Sequence, residues 1–363
     1  MHTADTMTSD LLSGMLALAD LEPVARASMS AMAWEYLACG AADEVTLRWN
    51  REAFDRIKLS PRVLIDVSKL DTTVNIFGET MAFPIVLAPV GLQRLYHPEG
   101  EAAASRGAGA ADATYVISSY STTPLEEIAA AATGPTWMQI YLQPDRAFTK
   151  DVIQRAEAAG CRAFCVTVDL PVIGVRNRLD RAGFALPPEL STPHMMGEFT
   201  GSPVTWDDID WLVSATKLPV MLKGVLDPED ADLAVKNGVS GIIVSNHGAR
   251  DLDTTPATID ALPYVTERVD NRMPVLMDGG IRRGTDVLKA LALGATAVLV
   301  GRPLCFGLGA AGAEGVTHVV NILRKEFEIA MALTGRTSIK DIDRSVIWSG
   351  QRADRDASIT HSH

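Results

Sequence analysis

The residues of this sequence that could do chemistry crowd the ends of apolar runs. The densest group follows Ile242-Ile-Val, where Ser245, Asn246, His247, Gly248, Arg250 and Asp251 stand close together. Histidine is the side chain best suited to taking and returning a proton near neutral pH. Arginine presents a planar, permanently charged fork that fits a carboxylate or phosphate. A base, a glycine that lets the chain turn and a cation thus share one strand tip, a grouping the rest of the chain has to account for. Other runs end in the same way. One leads to Ser118, Ser119 and Tyr120, another to Gln139 and Tyr141. Thr167 and Asp169 close a fourth run with Arg176 just beyond, Lys223 lies in a fifth, and Asp278-Gly279-Gly280 and Gly301-Arg302 close two more. Polar groups buried on strands cost free energy unless paired. Any one of them could be structural, but a packing role for all of them together is a poor explanation.

The elements that carry these residues read clearly. Eight short apolar runs cover residues 85–90, 115–120, 137–142, 163–169, 220–225, 241–246, 275–280 and 297–301. Most are continuously apolar, as strands are when both faces of a parallel sheet are covered. Helical patterns separate them, among them residues 101–111, 149–159, 228–236 and 286–293. Asp227 before Pro228 is a helix start, with a capping side chain and a proline at the first helical position. Gly160, Gly238 and Gly294 are helix stops that feed the next strand. Eight such units within about 220 residues predict the α/β class and a (β/α)8 TIM barrel. A doubly wound sheet is the alternative, but no GxGxxG follows an early strand. Ahead of the barrel, residues 23–40 read as one helix and residues 66–80 as a hairpin. Residues 314–334 read as a closing helix, and 186–203 as an irregular loop over the top face. Barrel active sites lie at the C-terminal strand ends, where the polar residues gather. The loops after the seventh and eighth strands are the usual phosphate site of such barrels. There glycines admit close backbone N–H groups and Arg302 offers a bidentate grip. A phosphate-bearing flavin or a sugar-phosphate substrate would both suit that pattern.

Composition narrows the function. The 363 residues carry 33 Lys+Arg against 45 Asp+Glu, a net charge of −12. That opposes binding to nucleic acid phosphates or to an anionic membrane. Cys39, Cys161, Cys165 and Cys305 form no CxxC pair and have no histidine at ligand spacing. They read as buried reduced thiols, with no metal site expected. The apolar stretch at 11–19 has no basic residue before it and is too short to span a bilayer. The expectation is a cytoplasmic protein.

The motifs Ser245-Asn-His-Gly-Ala-Arg250, Ala88-Pro89, Thr167-Val-Asp169, Leu222-Lys-Gly224 and Asp278-Gly-Gly280 resemble those of the FMN-dependent 2-hydroxy acid oxidase and dehydrogenase family. That family includes glycolate, lactate and mandelate oxidases and dehydrogenases. The resemblance spans residues 24–347 and implies a barrel with FMN at its top face, assembled as a homotetramer. By resemblance, His247 is the base that takes a proton from the substrate, and Asp169 orients it. Arg250 and Arg176 grip the substrate carboxylate with Tyr36, and Tyr141 meets the substrate hydroxyl. Lys223 lies by the flavin N1–C2=O edge. Gln139, Thr167, Ser118, Ser245 and the backbone near Pro89, Val90 and Gly91 meet the ring. Asp278, Gly279, Gly280, Arg282, Gly301 and Arg302 hold the ribityl phosphate. Asp251 stands where the family often has glutamine and is assigned a loop hydrogen bond or a surface charge. His194 reads as incidental.

Two positions bear on the substrate. Gly91 borders the space for the substrate's own side chain and is expected to leave room for a bulky group. Tyr120 replaces a tryptophan of glycolate oxidases. With a short fourth loop, these lean toward a mandelate-like acid, with O2 or another acceptor taking the electrons. A lactate or glycolate enzyme and a specialised, possibly decarboxylating, biosynthetic oxidase are the alternatives. The chain divides into a tail (1–23), one barrel domain (24–348, lid about 177–205) and a second tail (349–363).

Overall fold

Continuous β-branched and aliphatic runs that cannot face water on either side close into a barrel in the computed structural model, which describes residues 11–349. A hairpin comes first, β1 (Val74–Ile76) and β2 (Glu79–Met81). Eight parallel strands follow: β3 (Ile85–Leu87), β4 (Thr114–Ser118), β5 (Thr136–Ile140), β6 (Phe164–Thr167), β7 (Val220–Val225), β8 (Gly241–Val244), β9 (Val275–Met277) and β10 (Ala297–Val300). They pair in chain order and close through β10 onto β3. This is the (β/α)8 barrel expected. Every strand but β7, which spans its whole run, is shorter than its apolar run because the last residues of the run leave the ladder to build loops.

Side chains on a strand alternate between faces, and here that alternation stacks the barrel interior in layers. Val86, Val116, Trp137, Cys165, Met221, Ile243, Leu276 and Leu299 form an apolar layer, joined from below by Val74, Ile76 and Met81 of the hairpin. Phe77 at the hairpin turn lies against Trp137, with ring centroids 6.1 Å apart. The hairpin therefore plugs the N-terminal end of the barrel. Two residues further along the strands come Ser118, Gln139, Thr167, Lys223, Ser245, Asp278 and Gly301. One more step of two gives Tyr120, Tyr141, Asp169, His247 and Gly280. The intervening residues, such as Ile117, Val166, Leu222 and Val244, point outward into the helices.

Helices α1 (Leu18–Ser28), α2 (Ala31–Ala38) and α3 (Val45–Arg56) precede the barrel. The single helix expected over 23–40 is two. Pro23 sits inside α1, and the break falls at Met29 and Ser30, where the Ser30 hydroxyl accepts from the N–H of Ala33 and starts α2 afresh. The expected tail is likewise partly docked, because Leu12, Met15, Leu18 and Leu21 are buried in the core. Among the outer helices, α4 (Gly100–Ala110), α5 (Leu125–Ala131) and α6 (Arg146–Ala158) follow β3, β4 and β5 in turn. The short α7 (Asn177–Arg181) and α8 (Trp206–Ala215) flank the irregular top loop. The circuit ends with α9 (Pro228–Lys236), α10 (Thr258–Val269), α11 (Gly284–Ala292) and the closing α12 (Arg302–Leu333). Asp227 caps α9 through the Glu229 N–H, as the sequence implies. Gly160, Gly238 and Gly294 all take positive φ. The closing helix starts earlier than the pattern at 314 suggests and bends at Ala311 and Gly312, whose backbone is non-helical. Among the described residues no helix is long and apolar enough to cross a membrane.

Candidate active site

The polar layer is built by hydrogen bonds between neighbouring strands. Ser118 Oγ donates to Gln139 Oε1 at 3.0 Å, and Gln139 Nε2 donates to Thr167 Oγ1 at 3.0 Å. On the other side of the ring, Lys223 Nζ reaches Ser245 Oγ at 3.0 Å and Asp278 Oδ2 at 3.2 Å. All of these are buried. Burial opposes the Lys223 ammonium, but the carboxylates of Asp278 and Asp169 outweigh it and hold its pKa above the usual lysine value. A fixed positive charge at the centre of a dry barrel is thereby secured.

Above this layer the chain after β8 is strained. His247, Gly248 and Ala249 take φ of 55°, 62° and 63° in succession. Two of them are not glycine, a conformation that costs free energy and is kept only where the surroundings enforce it. Asn246 is the brace. It exchanges two hydrogen bonds with Asn50 of α3, at 3.0 and 2.9 Å, and accepts from the Ala249 N–H at 3.1 Å. The turn aims His247 into the cavity. Its Nδ1 lies 2.9 Å from Asp169 Oδ1. A carboxylate there fixes the proton on Nδ1 and leaves the Nε2 lone pair free to act as a base. Burial works against the Asp169 charge, yet His247 and Lys223 hold its pKa below the usual carboxylate value.

Arg250 folds back from the same turn over the Tyr36 ring, 5.0 Å from its centroid. It donates to the carbonyls of Tyr36 and Cys39 at the end of α2. Arg176 donates from Nε to the Arg250 carbonyl at 3.0 Å. Tyr141 is buried, and burial and the nearby Asp169 push its pKa well above the usual tyrosine value, so its hydroxyl stays a donor. Burial, with help from Tyr36, pushes Tyr120 up to about 12.

These groups line one cavity of about 810 Å³ at the C-terminal end of the barrel, large for a small-molecule site. Of the residues singled out from sequence, Tyr36, Pro89, Val90, Gly91, Ser118, Tyr120, Gln139, Tyr141, Thr167, Arg176, Lys223, His247, Arg250, Asp278, Gly279, Gly280, Arg282, Gly301 and Arg302 all line it. Asp169 and Ser245 stand directly behind, each bonded to a lining residue.

At one end of the cavity the donors fit a bound anion. Among the described residues, neither Arg282 nor Arg302 makes an ion pair. Burial drives the Arg282 pKa down to about 10, with Arg51 adding to it, and that of Arg302 to about 9, with Arg250 and Arg282 adding to it. Partly buried charges without a counter-charge are costly, so this pair of guanidiniums suits an anionic group. Gly279 and Gly280 have φ of 89° and 85°, and a Cβ on Gly280 would collide with the Asn50 carbonyl. The next loop is pinned by Asp286, whose Oδ2 accepts from the N–H groups of Arg282 and Arg283. A phosphate is the group such a cradle suits.

Three readings from sequence change. The space beside Gly91 is not open, since a Cβ there would lie 2.8 Å from the Tyr120 carbonyl and 2.9 Å from its ring. Gly91 makes room for Tyr120 rather than for a ligand. Asp251 is not a surface charge, because its side chain is buried, 3.1 Å from His247 Nδ1 and 3.3 Å from Arg176. His194 is not incidental. It is buried, accepts from the Leu125 N–H at 2.9 Å and meets Ser121 Oγ at 3.2 Å, tying the top loop to the barrel. Sequence reasoning also missed Phe199 and Phe184. Phe199 packs on Tyr141 and Tyr120, and Phe184 stacks on Tyr36 at 4.6 Å. No strand pattern marks either one. Asp169, His247 and Asp251 place ligand atoms within 4.8 Å of one another, close enough for a cation. Arg176 and Lys223 already supply counter-charge there.

Comparison with known proteins agrees with this chemistry. A crystal structure of mandelate oxidase with (S)-2-phenylpropionate superposes with a TM-score of 0.87 at 44% identity, covering 91% of this chain and 97% of that one. An L-lactate oxidase from a Nostoc species is 44% identical over 93% of this chain and 99% of its own length. Glycolate oxidase 1 of Zea mays is 45% identical over 90% of this chain and 94% of its own. Residues 25–349 match the FMN-dependent dehydrogenase family, and the chain belongs to that family of FMN-dependent 2-hydroxy acid oxidising enzymes.

Proposed function

We propose that this enzyme oxidises an (S)-2-hydroxy acid with a bulky or aromatic side chain, a mandelate-like acid, to the 2-keto acid, with O2 reduced to hydrogen peroxide. The observation that carries the reading is the aromatic wall. Tyr120, Tyr141, Phe199 and Leu170, packed together with Met195, line the same cavity as His247 and Arg250. Such a wall rewards an aryl group by area burial and ring packing. The structures of mandelate oxidase that this chain resembles add to it.

His247 Nε2 takes a proton from the substrate, while the Asp169 carboxylate stabilises the resulting imidazolium. Arg250 and Arg176 hold the substrate carboxylate, with Tyr36 beside it, so that the carbinol carbon faces the base. Tyr141 donates to the hydroxyl oxygen. Arg302, Arg282, Asp278 and the backbone of Gly279, Gly280 and Gly301 would hold the FMN phosphate and ribityl chain. Gln139, Thr167, Ser118, Ser245 and the backbone from Pro89 to Gly91 would seat its ring, with Lys223 at the edge that gains negative charge. FMN, when bound, accepts the two electrons of the oxidation.

A smaller acid is the second reading, favoured by the lactate and glycolate oxidases among the relatives. Anaerobic mixing with (S)-mandelate, L-lactate and glycolate separates the two. The expected outcome is fastest bleaching of flavin absorbance by mandelate. A Phe199→Ala variant should slow mandelate more than lactate. Faster reduction by lactate or glycolate than by mandelate would refute the aromatic preference, and no reduction by any of the three would refute the reaction.

A further inference from the structure

The base of this site has a second carboxylate. Asp169 Oδ1 lies 2.9 Å from His247 Nδ1, and Asp251 Oδ2 lies 3.1 Å from the same nitrogen. One N–H cannot serve both oxygens fully. The hydrogen bond goes to Asp169: Asp251 Oδ2, although 3.1 Å from Nδ1, is buried without a hydrogen-bond partner, as is the far oxygen of Asp169, Oδ2. Asp251 also holds a substrate-gripping arginine, its Oδ1 lying 3.3 Å from Arg176. The close approach is built into the backbone. A Cβ on Gly174 would collide with the Asp251 main chain, so the loop carrying Arg176 closes over Asp251 because residue 174 is glycine.

We propose that Asp251 is a positioning residue for the oxidation proposed above, one that shares the His247 imidazole with Asp169 and restrains Arg176 until a carboxylate arrives. The inference rests on that reading of the reaction. The step it acts on is a proton transfer. The substrate's proton goes to Nε2, the imidazole gains one positive charge, and the Nδ1–H remains between two carboxylates. A second negative charge at that distance favours the imidazolium. Before the transfer, the same charge opposes the incoming substrate carboxylate and occupies Arg176. Asp251 therefore trades anion affinity against the strength of the base.

The charged and titratable groups that face this cluster come from every side. They are Asp169 after β6, Arg176 on the top loop, Lys223 of β7, and Tyr141 after β5, with Tyr36 and Arg250 beyond Arg176. Burial, then repulsion from Asp169, raises the Asp251 pKa, with His247, Arg176 and Lys223 pulling the other way. Two carboxylates and an imidazole this close titrate as a set. The observable quantity is therefore the midpoint of the site, not of one residue.

Asp251→Asn keeps the shape and removes the charge; Asp251→Gln, a longer neutral side chain, guards against a local packing fault. Two measurements use the FMN-loaded protein. The first is the pH profile of anaerobic flavin reduction by (S)-mandelate. Its acid limb should move to lower pH by about one unit in both variants, since less negative charge makes the cluster give up its proton sooner. The second is titration with phenylacetate, a carboxylate with no hydroxyl to oxidise, followed by its perturbation of the flavin spectrum. Above the acid limb, both variants should bind it about tenfold more tightly than the wild type. A purely structural role would lower the rate at every pH without moving the limb, and would weaken phenylacetate. A limb at its wild-type position, or phenylacetate bound no more tightly, overturns the proposal. If mandelate, lactate and glycolate all fail to reduce the wild-type flavin, the proposed reaction falls, and the phenylacetate titration alone still decides the placement of Asp251.

Discussion

Replacing Arg282 by methionine should have effects of opposite sign on the flavin-free and flavin-loaded protein. Among the described residues the Arg282 guanidinium donates to the Ile281 carbonyl alone, at 2.8 Å, and it lies 5.8 Å from the Phe306 ring centroid. No carboxylate pairs with it among the described residues. The gap between an ordinary value of 12.5 and about 10 corresponds to roughly 3 kcal/mol against the charged form. Partial exposure and solvent relaxation reduce this to about 1–2 kcal/mol. The sign follows from the direction. A base whose folded pKa is depressed opposes folding at every pH below that value, so near neutrality the penalty is present in full. Arg282→Met keeps most of the stem and removes the charge, so apo-protein stability should rise by that amount, or about 1–3 °C in Tm. FMN affinity should fall instead. A charge-assisted bond to phosphate contributes about 1.5–3 kcal/mol, a loss of roughly 10- to 150-fold in Kd. Quenching of flavin fluorescence by apo-protein measures it, with riboflavin, which has no phosphate, as the control. Less stable apo-protein, or equal losses for FMN and riboflavin, would refute the reading of Arg282 as a phosphate residue.

Two further outcomes follow from local geometry. Gly280→Ala demands a left-handed alanine and drives its methyl into the Asn50 carbonyl, which should cost several kcal/mol and release flavin on dilution; a variant that keeps FMN with a wild-type Tm would show that the loop can shift. His194 must be neutral to accept from Leu125, and burial, with Arg155 adding to it, lowers its pKa from 6.5 to about 4. The stability it contributes is therefore complete above pH 6.5 and is lost as pH falls toward 4. Urea midpoints measured from pH 7.5 to 4.5 should fall less steeply in His194→Gln than in the wild type; equal slopes would refute the staple.

The barrel was legible because its signals are local. Apolar runs bounded by Gly160, Gly238 and Gly294, and the cap at Asp227, need only neighbouring residues to be read. The site was legible for a related reason. Polar residues that end or interrupt apolar runs, such as Gln139, Thr167, Lys223 and Asp278, stand out locally, and the motifs around Asp169 and His247 resemble those of a known family. What escaped depends on contacts far apart in the chain. Asp251 is buried by Gly174, Gly91 is filled by Tyr120, and His194 meets Ser121 and Leu125. A single sequence shows the residue types at such pairs but not their approach. The break at Ser30 was missed because Pro23, expected near a helix start, lies within the first of two helices.

The hairpin beneath the barrel has a consequence for traffic. With Phe77 seated on Trp137 and Val74, Ile76 and Met81 filling the floor, the interior is a well with its floor sealed. With that end closed, the cavity that holds His247 and Arg250 lies at the strand tips, under the loop that His194 fastens. Loosening the loop should change how the two halves of a turnover compete, even with every reacting group left in place.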